Sequence, residues 1–378
     1  MERAELSAWL RLTLAPGVGN ITARKLLAAF ASPEAIFSQS DAALRQLGNS
    51  KLVEAIRHLP EGLPTLLDST QAWLAAGDDR CVAVLGDAAY PSSLLDIEDP
   101  PLMLYMLSSQ LKRAQAAMNN AANSLAVVGS RNPTPQGEAN ARQFAKAFAE
   151  QGLCVVSGLA LGVDGAAHDG ALLGAPSDSC ATIAVVGTGL DRVYPKKHLA
   201  LAHRIAVGGV IISEFPIGTP PLNANFPKRN RIISGLSQGT LVVEAALKSG
   251  SLITARLASE QGKDVFAIPG SIHSPQSRGC HYLIKQGAKL VETAQDVMEE
   301  LRIPSSPGVA QDDAGESESP EGDSSFLSAL GFDIVSLDAL QARTGLPTPE
   351  LQAKLLELEL DGFVRRLPGG LFQRMARG

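Results

Sequence analysis

The chain has 378 residues, of which 45% are hydrophobic and 19% are charged, and its formal net charge is −6. Single cores stop growing at about 250–300 residues, so a chain of this length should contain more than one domain. The composition is that of a globular protein, and no apolar run reaches the roughly 18 residues that a membrane span needs. The N-terminus carries acidic residues and lacks the apolar core of a signal peptide, which predicts a cytoplasmic protein.

The negative charge is unevenly distributed along the chain. Residues 303–325 contain six acidic residues and no lysine or arginine, and outside them 33 basic residues face 33 acidic ones. Residues 190–231 contain seven lysines and arginines against two acidic residues. Electrostatic fields are local at physiological salt, so this excess is enough for an anion-binding stripe. The overall charge therefore does not exclude nucleic acid as a partner.

Residues 1–75 place apolar side chains at helical spacing and predict a helical domain of the SAM or helix-hairpin-helix kind. The sequence PGVG at residues 16–19 joins the first two predicted helices. Its backbone N–H groups could hold a DNA phosphate, or the turn could be a tight connection that needs glycine only for its shape. No basic cluster surrounds the turn, so this domain is interpreted as structural or weakly DNA-contacting.

Residues 81–303 predict a doubly wound, extended Rossmann-like α/β domain with a mostly parallel sheet. Most of its strands are continuous apolar runs, as expected when helices cover both faces of a sheet. Segments with helical periodicity lie between the strands, including residues 137–150 and 244–261. The predicted strands are 125–128, 154–156, 182–186, 209–212, 240–243, 264–268 and 289–291.

Small or polar residues follow five of these strands. The carboxyl ends of parallel strands share one edge, where ligands bind, and amides at a helix start attract anions. A tight turn could explain each sequence alone, but together with the sequence RNR at 229–231 they favour a phosphate site. The expected phosphate-binding residues are Gly129, Ser130, Arg131, Ser157, Gly158, Thr188, Gly189, Arg229, Asn230, Arg231, Ser249, Gly250, Ser251 and Thr254.

Enzymatic alternatives are mostly disfavoured. The sequence GTG at 187–189 lacks the third glycine of a dinucleotide site, and a P-loop sequence is absent. A nucleotide base hydrolase remains an alternative, because Gly239 and Thr240 precede Glu244. Glu244 could equally cap a helix or orient Arg229 or Arg231, and this bracing role is the one we favour.

Neither a cofactor nor a metal is expected. His168 is interpreted as a hydrogen-bonding residue inside a glycine-rich helix start rather than a catalytic group. His273, Cys280 and His281 lie close in sequence, but no fourth ligand has a fitting spacing. The four cysteines form no CxxC pair, which argues against a zinc site or a disulfide framework.

Residues 304–325 have the composition of a disordered acidic linker. Residues 326–378 predict a winged helix, with three helices before a hairpin and with Thr348 as the N-cap of the last helix. That helix carries three glutamates and a following aspartate against one lysine, so phosphates should be repelled. We favour protein contact or packing, and DNA binding remains open because of Arg365, Arg366 and Arg374.

Several ordered motifs resemble the DNA-processing protein A family, also called DprA or Smf. They are VGSRNPTPQG, SGLALGVDGAAHDGAL, AVVGTGLDRVYPKKH, SEFPIGTPP, FPKRNRIISGLS and SGSLITARLA, and they cover roughly residues 90–293. The flanking segments resemble the family's helical N-terminal domain and its C-terminal winged helix. His198 departs from the family's sequence pattern, in which an asparagine is expected at this position after the Tyr-Pro pair.

The resemblance implies a protein that is not an enzyme and that binds single-stranded DNA. It would protect incoming strands during natural transformation, load the RecA recombinase and form homodimers through the α/β domain. The family's phosphate-gripping arginine corresponds to Arg131, and its basic residue after the Tyr-Pro pair corresponds to Lys196, with Lys197 adjacent. Of Arg229 and Arg231, one is expected to contact phosphate and the other to brace the pocket.

Aromatic residues, which often stack on the bases of single strands, make up only 4% of the chain. Tyr194, Phe215 and Phe226 are the candidates nearest the predicted site. One site of this kind would grip a few nucleotides, so two sites in a homodimer would raise avidity.

Overall fold

The computed structural model describes residues 1–303 and 321–375. Its first part is helical and packs around buried side chains that include Leu10, Leu26 and Ile36. The side chains of Ser32 and Ser40 accept hydrogen bonds from backbone N–H groups and so fix where two short helices begin. The helices are α1 (Arg3–Leu14), α2 (Asn20–Phe30), α3 (Pro33–Ser38), α4 (Asp41–Arg45), α5 (Ser50–Arg57) and α6 (Leu63–Ala75).

A nine-stranded sheet forms the centre of the segment that follows, in the order β1-β2-β6-β5-β4-β3-β7-β8-β9. The pairs β1–β2 and β2–β6 are antiparallel and the other pairs are parallel, so the predicted mostly parallel sheet is confirmed. The strands are β1 (Arg80–Val84), β2 (Met103–Leu107), β3 (Ser124–Val128), β4 (Cys154–Ser157), β5 (Thr182–Val186), β6 (Val210–Ser213), β7 (Gly239–Val242), β8 (Asp264–Ala267) and β9 (Lys289–Leu290).

Helices cover both faces of this sheet. Ala126 and Val128 of β3 pack into one core, while Leu125 and Val127 pack into the other, as the alternation of side chains along a strand requires. The fold is therefore doubly wound, as predicted. The helices are α7 (Leu111–Met118), α8 (Pro135–Glu150), α9 (Val163–Gly174), α10 (Leu199–Gly208), α11 (Asn225–Gly235), α12 (Ser251–Glu260), α13 (Arg278–Lys285) and α14 (Ala294–Glu300).

The strand order reverses between β3 and β7. From β3 the chain adds β4, β5 and β6 on one side, and then returns to place β7, β8 and β9 on the other side of β3. The loops after β3 and β7 diverge at such a switch point and leave a crevice at the carboxyl edge. The fold therefore brings together segments that lie more than 100 residues apart in sequence.

The predicted helix at 244–261 is wrong in its first turns, because α12 begins only at Ser251. The backbone nitrogen of Ala245 donates to the carbonyl of Gln276, and the nitrogen of Gly279 donates to the carbonyl of Ala245. Residues 244–250 therefore form a loop tied to the segment before α13. Glu244 consequently does not lie at a helix start.

The C-terminal part is a winged helix, as predicted. It contains a three-stranded sheet in the order β10-β12-β11, with Leu340, Leu351 and Phe372 in its core. The elements are α15 (Glu321–Leu330), β10 (Val335–Ser336), α16 (Leu337–Thr344), α17 (Thr348–Leu360), β11 (Val364–Leu367) and β12 (Leu371–Arg374).

Two details of this region differ from expectation. The N-cap of α17 is Pro347, and Thr348 is already the first helical residue, because Pro347 keeps the extended backbone that a cap needs. The predicted linker at 304–325 mostly lies outside the described residues, and its last five residues belong to α15. Among the helices of the described ranges, none combines the length and the apolar character needed to cross a bilayer.

Candidate functional site

A cleft of about 470 Å³ opens at the switch point between β3 and β7. The segment after β3 forms one wall, the loop after β7 with the start of α12 forms the opposite wall, and α11 closes a third side. The following residues predicted from the sequence line the cleft: Gly129, Ser130, Arg131, Arg229, Asn230, Ser249, Gly250, Ser251 and Thr254.

Two exposed cations lie on opposite walls of the cleft. Arg131 and Lys248 both line it, and neither side chain has a hydrogen-bond or ion-pair partner within residues 1–303 and 321–375. The ten-residue helix α12 begins at the same place, and a helix N-terminus adds a partial positive charge. A phosphate group in the cleft would therefore meet charge from three directions.

Neutral hydrogen bonds hold the walls together. Ser130 Oγ donates to Gln276 Oε1 at 3.3 Å, and Gln276 Nε2 donates to the carbonyl of Asn132 at 3.1 Å. Asn230 Nδ2 donates to the carbonyl of Gly250 at 3.3 Å, which links α11 to the start of α12. These bonds use neutral groups only, so the exposed cations stay available for a ligand.

Sequence reasoning missed Lys248, Gln276 and Asn132 as lining residues. Lys248 stands immediately before the predicted Ser249, so its charge beside a glycine-containing turn was a usable signal. Gln276 lies in the loop after β8, and nothing in its local sequence indicates that it reaches a cleft between β3 and β7.

Arg229 does not have the exposed position expected of a phosphate-gripping residue. It is 4% exposed, its Nη1 donates to the carbonyls of Gly158 and Val185, and its Nη2 lies 3.7 Å from Asp164 Oδ2. Burial lowers the pKa of Arg229 to about 10, partly opposed by the charge of Asp164, and it remains a cation at neutral pH. Its donors are used to hold the ends of β4 and β5 together at the cleft floor.

Arg231 lies outside the cleft, so its assignment as a phosphate ligand is wrong in this structure. Its Nε donates to Asp99 Oδ2 at 3.0 Å and its Nη2 donates to Glu214 Oε1. Glu214 also accepts from Asn20 Nδ2 at 3.0 Å, which connects this ion pair to the N-terminal helices. These two carboxylates compensate the cost of burying the Arg231 charge.

Glu244 contacts neither of the arginines that it was expected to brace. It accepts hydrogen bonds from the hydroxyl and the backbone nitrogen of Thr134, and it does not line the cleft. Burial raises the pKa of Glu244, and the two hydrogen bonds from Thr134 oppose that shift. The prediction that Glu244 orients Arg229 or Arg231 is therefore wrong, and the partner of Glu244 is the start of α8.

Other predicted residues have structural positions or lie beside the cleft. Ser157 is fully buried and donates to the carbonyl of Val127 at 2.6 Å. The backbone nitrogen of Gly189 donates to the carbonyl of Thr219, and no side chain fits there because a Cβ would lie 2.6 Å from the carbonyl of Pro216. Gly158 and Thr188 line a second, smaller cavity that adjoins the cleft.

Lys196 and Lys197 lie in a short helical turn, Lys196–His198, and both are exposed. They line neither cavity, but Pro195, which precedes them, borders the smaller one. They therefore lie outside the cleft, on the side of the smaller cavity.

His168 has a structural partner at each of its ring nitrogens. His168 is fully buried, with Nδ1 2.7 Å from Thr182 Oγ1, and its Nε2 accepts from the nitrogen of Leu159. Burial lowers the pKa of His168 to about 3, so the ring is neutral and serves packing. Within the described ranges, no group of three or more potential metal ligands comes together.

The fold and the cleft define a doubly wound α/β protein with a crevice lined by cations at its switch point, followed by a winged helix. A family model described as DNA recombination-mediator protein A matches residues 81–302, and one described as DprA winged helix domain matches residues 310–370. The chain belongs to the DNA recombination-mediator protein A family.

Individual relatives agree with this assignment. The chain is 40% identical over 310 residues to protein Smf of Escherichia coli K12, covering 80% of each chain. It is similar to the X-ray structure of DNA processing protein A from Streptococcus pneumoniae, with a TM-score of 0.61, 34% identity, and coverage of 79% of this chain and 98% of that one.

A second solved structure is that of DNA processing protein A from Helicobacter pylori, described for its single-stranded DNA binding mode. The TM-score is 0.51 at 29% identity, with coverage of 58% of this chain and 95% of that one.

Proposed function

We propose that this chain binds single-stranded DNA in the cleft between β3 and β7 and acts as a recombination mediator rather than as an enzyme. The observation that carries the proposal is the pair of exposed cations, Arg131 and Lys248, on opposite walls of one open cleft. Contacts of this kind grip phosphates and read no base edges, so they suit a flexible strand of any sequence.

The relatives support this proposal. The family is described as recombination mediators, and the similar protein of Helicobacter pylori is described as binding single-stranded DNA. By the same resemblance, the chain protects incoming single strands during natural transformation, recruits and loads the RecA recombinase, and works in the cytoplasm. A homodimer would offer two clefts to one strand and so raise avidity without any new contact.

The residues divide into three roles under this proposal. Arg131 and Lys248 contact phosphate directly, together with the start of α12. Lys196 and Lys197 extend the cationic path beyond the cleft. Arg229 supports the floor of the cleft, because it already donates hydrogen bonds to the main-chain carbonyls of Gly158 and Val185.

The test is a titration of oligo-dT by the full chain at several salt concentrations. Arg131→Ala and Lys248→Ala should each weaken binding by about 1–3 kcal/mol and make the slope of log K against log salt shallower by about one. The matched control is Arg45→Ala, which removes an exposed arginine from α4. If the double variant binds oligo-dT like the wild type and the Arg45→Ala control, the cleft is not the binding site.

A further inference from the structure

Two free cysteines come together at the amino edge of the parallel strands, which is the edge opposite the cleft. Cys154 begins β4, and Cys180 lies two residues before β5 begins at Thr182. The thiol of Cys154 donates a weak hydrogen bond to the sulfur of Cys180, and the two Sγ atoms are 4.0 Å apart. Because 26 residues separate them in sequence, the fold and not a local motif creates the pair.

The β4–β5 ladder holds the backbone beside both cysteines. Val155 and Thr182 are register partners in this parallel pair, and the nitrogen of Val155 donates to the carbonyl of Ala181 at 3.1 Å. Paired strands run about 4.8 Å apart, and a disulfide spans Cα separations of about 4.4–6.8 Å. A covalent bond between the two sulfurs is therefore compatible with the strand pairing.

The two sulfurs differ in their electrostatic surroundings. Cys180 lines a small surface pocket together with Arg113, whose Nη1 donates to the carbonyl of Ser177 at 3.0 Å. The hydrogen bond from Cys154 and the charge of Arg113 lower the pKa of the Cys180 thiol, although burial opposes them. The same hydrogen bond and burial raise the pKa of Cys154. The pair therefore combines one sulfur that ionises readily with one that keeps its proton.

The other two cysteines lack these surroundings. Cys280 is fully buried, its thiol donates to main-chain carbonyls, and burial raises its pKa to about 12. Cys81 is more exposed than Cys154 or Cys180, but burial raises its pKa as well, opposed by a hydrogen bond from Gln115. Exposure alone would make Cys81 the most reactive thiol, so the order of reactivity distinguishes the two explanations.

We propose that Cys154 and Cys180 form a dithiol that reacts with hydroperoxides, with Cys180 as the attacking sulfur and Cys154 as the resolving one. Reactive cysteines lie beside cations at accessible positions, and oxidant-sensing cysteines often have a second cysteine next to them. Cys180 has both features. The inference does not depend on DNA binding in the cleft, because the dithiol lies at the other edge of the sheet.

The reaction has two steps. The Cys180 thiolate attacks one oxygen of hydrogen peroxide, so that an S–O bond forms, the O–O bond breaks and hydroxide leaves. The sulfur of Cys154 then attacks the sulfenic acid at Cys180, so that an S–S bond forms and the S–O bond breaks. The departing hydroxide leaves as water with the proton of the Cys154 thiol. In sum, two thiols lose two electrons and two protons, and one peroxide becomes two waters.

The disulfide would close the β4–α9–β5 unit at its amino edge. At the carboxyl edge of the same unit, the carbonyls of Gly158 and Val185 accept hydrogen bonds from Arg229. Oxidation would therefore crosslink the two strands that support the floor of the cleft, without changing a residue that lines it.

The experiment treats the reduced full chain with a small excess of hydrogen peroxide, caps the remaining thiols with iodoacetamide and maps the peptides by mass spectrometry without a reductant. The expected product is a pair of peptides joined through Cys154 and Cys180 of one chain, which dithiothreitol separates. Cys81 should still be alkylated at peroxide doses that convert most of the pair.

Substitutions assign the two roles. Cys154→Ala should leave Cys180 as a sulfenic acid, which dimedone traps, and Cys180→Ala should leave Cys154 reduced. Unfolding midpoints under reducing conditions show whether each variant is folded. Because the map of the wild type needs no substitution, a variant that fails to fold does not prevent the test.

Arg113→Gln tests the electrostatic part of the proposal. It should slow the oxidation of Cys180 by about threefold for each unit by which the guanidinium lowers its pKa, because a tenfold loss of thiolate is partly offset by a more nucleophilic sulfur. Lys112→Gln is the matched control, since it removes the neighbouring exposed cation of α7, and it should react at the rate of the wild type.

The outcomes decide the proposal. Oxidation of Cys81 before Cys180, sulfinic acid at Cys180 without linked peptides, or a disulfide found only between two chains on a non-reducing gel would each overturn it. Linked peptides from one chain that are lost in both alanine variants and kept in Cys81→Ala support it.

Discussion

Glu244 joins the two sides of the switch point by accepting two hydrogen bonds from Thr134, at 2.6 Å from its hydroxyl and 2.9 Å from its backbone nitrogen. Thr134 in turn caps α8 by accepting from the nitrogen of Gly137 at 3.0 Å. One carboxylate therefore connects the loop after β7 to the helix that follows β3. The contact lies beside the cleft without facing it.

Glu244→Gln should lower the stability of the protein and leave DNA binding nearly unchanged. A glutamine offers one acceptor oxygen where the carboxylate offers two, so a donor of Thr134 loses its partner, at a cost of about 1–3 kcal/mol. The midpoint of urea unfolding measures the effect, with Glu34→Gln on the exposed face of α3 as the control. Free base released from nucleoside monophosphates by wild type but not by Glu244→Gln would instead establish a catalytic role.

Arg231→Met should destabilise the fold without weakening DNA binding by the folded protein. The change leaves Glu214, whose side chain is 8% exposed, without its closest cation, and breaking a buried pair from one side costs about 3–5 kcal/mol. Unfolding midpoints measure this, and the double variant Glu214→Gln with Arg231→Met should recover part of the loss. An Arg231→Met protein of normal stability that fails to bind oligo-dT would place Arg231 in the binding site after all.

DNA affinity should rise as the solution is acidified from neutral pH, and Asp164 should account for part of the rise. Burial raises the pKa of Asp164, although the charge of Arg229 opposes the shift, and Asp164 lines the cleft. A bound phosphate would raise that pKa further, so the complex would hold more protons than the free protein and acid would favour it.

Titrations of Asp164→Asn across the same pH range supply the comparison. Asparagine cannot take up the proton, so the DNA affinity of this variant should depend less on pH than that of the wild type. The difference should be about tenfold for each unit by which the bound phosphate raises the pKa of Asp164. A pH dependence identical to that of the wild type would assign the effect to other titrating groups.

Much of the fold could be predicted because most of the parallel strands are continuous apolar runs, and small or polar residues follow five of the predicted ones. The predicted run at 182–186 matches β5, and Gly129 to Arg131 after β3 line the cleft as expected. Local pattern is sufficient for such features, because strand burial and turn chemistry are both properties of neighbouring residues.

The roles of the arginines could not be predicted in the same way. Arg229 and Arg231 stand two residues apart on α11, and the sequence does not indicate which carbonyls or carboxylates the rest of the chain brings to each. Because of the strand order, Arg229 lies at the ends of β4 and β5, whereas Arg231 lies against Asp99 and Glu214. Glu244 was assigned to the wrong partner for the same reason, since Thr134 lies 110 residues away.

The reversal of strand order between β3 and β7 has a mechanical consequence. The two walls of the cleft belong to half-sheets wound in opposite directions, and the β3–β7 ladder and several side-chain hydrogen bonds connect them there. A DNA strand bound by Arg131 on one half-sheet and by Lys248 on the other would link the two halves across the β3–β7 junction. Amide hydrogens of the β3–β7 ladder should then exchange more slowly in the complex, while those of the antiparallel β1–β2 margin should keep their rates.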